Sequence, residues 1–95
     1  MTLTAQAGEA ELSLREAPTT GHRWRLTDLP SDVEILGTEF RAPQTGRLGA
    51  SGERRFTLRA RTPGTFRFTA VLVRGDEPPG DHVDVTLVAG DAPSV

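Results

Sequence analysis

Alternation of apolar and polar positions dominates this chain. In "ELSLR", Leu12 and Leu14 share one face with polar neighbours between them. "RWRL" turns Trp24 and Leu26 inward and Arg23 and Arg25 outward. "VEILGTEF" begins with Val33 and Ile35 inward, then changes phase at Gly37, so that Thr38 and Phe40 follow; a β-bulge is expected there. "RRFTLRAR" turns Phe56, Leu58 and Ala60 inward and leaves Arg55, Thr57, Arg59 and Arg61 outside. "TFRFTAVLV" buries Phe66, Phe68, Ala70 and Leu72, and "HVDVTLVA" buries Val83, Val85 and Leu87. A short first strand fits "TLTA" near Thr2. No segment keeps a 3.6-residue period over ten or more positions, whereas the period of two recurs throughout. Turn residues separate the runs at roughly regular intervals. The pattern predicts an all-β fold, an antiparallel sandwich or barrel.

The connections fall into two sets. An antiparallel chain reverses at each turn, so alternate loops emerge at the same end. Ala7–Gly8, Leu29–Pro30–Ser31 and Thr62–Pro63–Gly64 are short. Ala17–His22, Ala42–Glu53 and Arg74–Asp81 are longer and rich in glycine and proline. Long loops on a rigid sandwich are where binding is usually carried. The sequence thus predicts one working end.

Composition adds limits. At 95 residues the chain is read as one domain over 1–95, with a disordered tail from about residue 91. The net charge of -2 lacks the basic excess of a nucleic-acid binder. Without cysteine there is no disulfide, no thiolate metal site and no thiol nucleophile. No apolar run is long enough to span a bilayer. The N-terminus lacks the basic and apolar regions of a signal peptide. The expected location is therefore cytoplasmic, or secreted or periplasmic if a signal has been removed. All eleven basic residues are arginine, and lysine, asparagine and tyrosine are absent, as GC-rich bacterial coding would produce.

Candidate chemistry is sparse. Two histidines, His22 and His82, do not make a metal site. "GASGE" is not a nucleophile elbow, because Glu53 stands where the second glycine should be. Asp76, Glu77, Asp81 and Asp84 lack the spacing of a calcium loop. No cofactor is expected, and the chain is not read as an enzyme. The outward arginines lack interleaved aromatics, which again argues against nucleic acid. The first long loop is more informative. Pro18 fixes its own backbone and extends Ala17. Gly21 permits a positive φ. Thr19 and Thr20 can bond locally to the backbone. A short, stiff, protruding loop should result. Gly46, Gly49 and Gly52 make the second loop adaptable.

These residues resemble a known family. "APTTGHRW" is similar to the N-P-T-T-G-x-x-W motif of the chagasin-like inhibitors of cysteine peptidases. "RLGASGERRF" looks like the family's second motif, a leucine followed by G-x-G-G, with Ser51–Gly52 in place of the glycine pair. "GTFRFTAVLVRGDEP" falls where the family has a strand ending in R-P-W/F. Arg74 matches that third motif, while Gly75 and Asp76 replace the proline and the aromatic. Order and spacing agree from about Glu9 to Ala89.

The resemblance implies an immunoglobulin-like antiparallel β-sandwich of about seven to eight strands. It implies a reversible, non-covalent inhibitor whose three loops form a wedge in the active-site cleft of a papain-like cysteine peptidase. By position, Pro18, Thr19, Thr20, Gly21 and His22 would make the central contact. Leu48, Gly49, Ala50, Ser51 and Gly52 would form one flank, and Arg74 would begin the other. Trp24 is read as core, holding the base of the first loop. No nucleic-acid or membrane partner is implied, and the protein is expected to be a monomer. The alternative is a non-inhibitory protein-binding module on the same scaffold, motivated by the altered third motif. Outward Val71 and Val73 fit either a covered strand or a contact patch.

Overall fold

The computed structural model describes residues 1–17, 20–42 and 52–90. Among the described residues seven strands form in chain order: β1 (Thr2–Thr4), β2 (Glu9–Glu16), β3 (Arg23–Thr27), β4 (Val33–Arg41), β5 (Gly52–Ala60), β6 (Gly64–Val73) and β7 (His82–Ala89). They make two sheets. One has the order β1-β7-β6-β3 and the other β2-β5-β4. All pairings are antiparallel except β1 with β7, which is parallel. This is the expected immunoglobulin-like sandwich, at seven strands.

The alternation works because each sheet has one face against the other and one in water. Leu12 and Leu14 of β2, Val33 of β4, and Phe56, Leu58 and Ala60 of β5 supply one half of the core. Phe68 and Ala70 of β6 and Val85, Leu87 and Ala89 of β7 supply the other. Leu12, Leu58 and Leu87 are fully enclosed. Truncating one of them to alanine would cost about 2–5 kcal/mol. Trp24, Leu26, Phe66 and Val83 pack against this centre while only partly buried.

The phase change in β4 is a bulge. Ile35 pairs with Leu58 and Gly37 with Thr57, so Leu36 is the extra residue, one position before the expected site. Ile35 corrects the sequence reading. It lies across from the enclosed Leu58, yet it is 44% exposed. β4 is the outer strand of its sheet, and the core does not extend over it there. Thr38 is likewise exposed, and Phe40 is half-buried.

Outward charges on the three-stranded sheet neutralise one another. Arg55 pairs with Glu11 at 3.3 Å and with Glu53. Arg59 lies 3.8 Å from both Glu9 and Glu34, and Arg61 meets Glu34 at 2.8 Å. Such exposed pairs add little stability. They do leave this face polar with its charges balanced.

Candidate functional site

Strand register shows which ends of the chain meet. Glu16, the last residue of β2, pairs with Gly52, the first of β5. Arg41, the last of β4, pairs with Glu53 beside it. In the other sheet Arg23, the first of β3, pairs with Val73, the last of β6. Val71 pairs with His82, the first of β7. The roots of all three long connections therefore lie at one end of the sandwich. The tight turn at Ala7–Gly8 and the turns near Pro30 and Pro63 lie at the other.

The first connection is built around Thr20. Its backbone N–H donates to the Ala17 carbonyl at 3.3 Å, and its Oγ1–H donates to the same oxygen at 2.9 Å. The His22 N–H donates back to Thr20 Oγ1 at 3.2 Å. Gly21 takes φ +77°, a region that favours glycine. A Cβ there would meet no neighbouring atom, so the need for glycine is conformational rather than steric. Thr20 and Gly21 are exposed and His22 is half-buried.

The base of this loop holds a group that the sequence reading passed over. Glu16 is 3% exposed, and its carboxylate is buried. The Trp24 N–H donates to its Oε2 at 3.0 Å. Arg54 donates from Nε to Oε2 at 3.2 Å and from Nη2 to Oε1 at 2.9 Å. Burial alone would raise the pKa of Glu16. The hydrogen bonds from Arg54 and Trp24, with the charges of Arg54 and Arg23, outweigh it and hold the carboxyl below its ordinary value. The Trp24 Nε1–H donates to the Arg15 carbonyl at 2.7 Å. Trp24 thus braces the loop base, as expected, through both its ring and its backbone.

Arg54 also reaches β4. Its guanidinium carbon lies 5.4 Å from the centroid of the Phe40 ring, within cation–π range. Gly52 fits against that ring so closely that a Cβ would lie 2.3 Å from Phe40 Cζ and 2.6 Å from the Arg41 carbonyl oxygen. Packing at the root of the second connection therefore demands a glycine at position 52. The signal for Glu16 and Arg54 was present in the chain. Glu16 continues the inward series of Leu12 and Leu14, and Arg54 precedes Phe56, Leu58 and Ala60 in phase.

The third connection is a hairpin turn. The Glu77 N–H donates to the Arg74 carbonyl at 3.0 Å, with Gly75 at φ +52° in the first central position. Leu72 pairs with Asp81 and Gly80 through hydrogen bonds of 2.8 and 2.9 Å, which prolong the ladder. Arg74 is exposed beyond it. Of the candidate residues, Thr20, Gly21, His22, Gly52 and Arg74 all belong to the connections at this end. Pro18, Thr19, Leu48, Gly49, Ala50 and Ser51 lie outside the described residues.

An immunoglobulin-like sandwich with its long connections gathered at one end is the architecture of a loop-presenting binding domain. The family comparison narrows this. Residues 4–88 match the family described as "Chagasin family peptidase inhibitor I42", and the chain belongs to that family. Its members are peptidase inhibitors and not enzymes. Comparison with curated proteins returns no significant match. Among solved structures, the fold is similar to that of the cysteine protease inhibitor EhICP2 from Entamoeba histolytica. That match has a TM-score of 0.73 and 21% identity over 93% of this chain and 85% of that one. The fold is also similar to the solution structure of amebosin, with a TM-score of 0.67 and 23% identity over 97% and 89% of the two chains.

Proposed function

We propose that this protein is a reversible, non-covalent inhibitor of papain-like cysteine peptidases, acting as a monomer. The three-loop end enters the active-site cleft. The connection from Ala17 to His22 covers the catalytic cysteine and histidine. Leu48 to Gly52 and the turn at Arg74 flank it. The observation that carries this reading is the register, which gathers the three connections at one end in a chain that belongs to this inhibitor family.

The chemistry required is modest. A substrate lies extended across a peptidase cleft so that its carbonyl meets the nucleophile. An inhibitor must fill the cleft without presenting a scissile bond in that geometry. Here both donors of Thr20 close onto the Ala17 carbonyl, which ties these two residues of the connection together. These hydrogen bonds exist before binding, so less conformational entropy is lost on association.

Inhibition of papain should be tighter than about 1 μM, near 8 kcal/mol of binding free energy. The variant Thr20→Arg should melt as a folded protein but lose inhibition at least a hundredfold. A folded parent that leaves papain and a cathepsin L-like peptidase active at tens of micromolar would overturn the reading. The second reading, a non-inhibitory protein-binding module, is favoured by Gly75 and Asp76, which supply no aromatic anchor at the third loop. It predicts capture of a non-peptidase partner by the same loop end.

A further inference from the structure

The strongest unexplained feature is a buried carboxylate where the core did not need one. The inward positions of β2 are Ala10, Leu12, Leu14 and then Glu16. An apolar side chain could pack at the fourth position without any ionic desolvation cost. Instead Glu16 takes three donated hydrogen bonds from two other strands. Each of these partners stands at the root of a connection. Glu16 and Trp24 are the two roots of the first. Arg54 follows Gly52 at the outgoing root of the second, and Phe40 precedes its incoming root.

We propose that Glu16 and Arg54 are positioning residues for inhibition: an ionic latch that sets the roots of the first and second connections in fixed relation before any peptidase arrives. The inference rests on the proposed function for its target and on the geometry alone for the latch itself. Glu16 spans the mouth of the first loop by accepting from Trp24 across its base. Its other oxygen is held by Arg54, whose guanidinium is in turn seated over Phe40. A change at either root is thereby transmitted to the other through the carboxylate. Neither residue needs to touch the peptidase.

The experiment uses the whole chain with Glu16→Gln, Arg54→Lys and the double variant. Glutamine keeps the shape of Glu16 but faces Arg54 without charge. Lysine keeps the charge of Arg54 but loses the paired donors and the guanidinium seated over Phe40. Two quantities are read under conditions where circular dichroism shows each variant folded. The first is amide hydrogen exchange at Thr20, Gly21, His22 and Trp24 in the free protein. The second is the inhibition constant against papain. The latch predicts exchange at Trp24 and His22 at least tenfold faster in either single variant. It also predicts at least tenfold weaker inhibition, seen mainly as slower association. The double variant should be little worse than the singles, since both remove one interaction.

A role confined to fold stability would lower the melting temperature but leave loop exchange and inhibition unchanged, and that result would overturn the proposal. If Glu16→Gln does not fold, Arg54→Lys decides by the same readings. If the parent itself does not inhibit, the inhibitor reading falls. The exchange data then still decide whether the latch holds the base of the first connection.

Discussion

Gly52 and Glu16 show how single residues determine this end of the molecule. Gly52 has a place for a hydrogen and for nothing larger, because the Phe40 ring and the Arg41 carbonyl occupy the space. Gly52→Ala should therefore lower unfolding free energy by about 1–3 kcal/mol, as overpacking does. Urea denaturation measures it; an unchanged midpoint would mean that Phe40 does not close on this position. Glu16 makes a prediction in acid. Its folded pKa lies below the ordinary 4.5, so its contribution is complete above that value and disappears as pH falls through the lowered folded value. Glu34 and Glu53 are lowered too, mainly by hydrogen bonds from Arg61 and Arg55, so some acid sensitivity will remain without Glu16. Melting curves of the parent should fall more steeply below about pH 4.5 than those of Glu16→Gln. Parallel curves would count against a folded-state role for the ionised form.

Among the elements, the turn into β2 offers room for improvement. Gln6 and Glu9 exchange backbone hydrogen bonds of 2.7 and 3.0 Å around Ala7 and Gly8, whose φ angles are +53° and +82°. Two successive positive φ values mark the hairpin turn that favours Asn-Gly, and alanine is poorly suited to the first position. Ala7→Asn should add about 0.5–1 kcal/mol. In a domain of this size that corresponds to a rise in melting temperature of roughly 2–8 °C. A thermal scan that shows no rise would contradict the turn assignment. The β4 strand teaches a different lesson. Its phase change was readable from the Ile35–Gly37 stretch, since period two cannot survive an extra residue. The exposure of Ile35 was not, because alternation tells which face a side chain takes but not whether the opposite sheet reaches that far. The bulge at Leu36 also interrupts the regular edge of β4, a usual protection against strand-to-strand association.

For the molecule as a whole, the sequence carried the strands, the two-ended distribution of connections and the family. These follow from local periodicity, from turn residues and from the rule that an antiparallel chain reverses at each turn. The Glu16–Arg54 pair was less accessible. Both residues stood in inward phase, but charges at strand ends are usually solvated. Only the Glu16↔Gly52 and Leu14↔Arg54 register shows that these two strand ends lie side by side. The roles proposed for Pro18, Thr19 and Leu48 to Ser51 rest on the resemblance to the family motifs, since those residues lie outside the described ones.

One feature of the topology bears on handling the protein. β7 begins at His82 beside the three connections and finishes at Ala89, which pairs with Gly64 at the far end. A carrier, dye or solid support joined behind Gly90 would therefore point away from the loops. A biosensor made this way should keep the loop end, the surface proposed to bind the peptidase, open to the analyte.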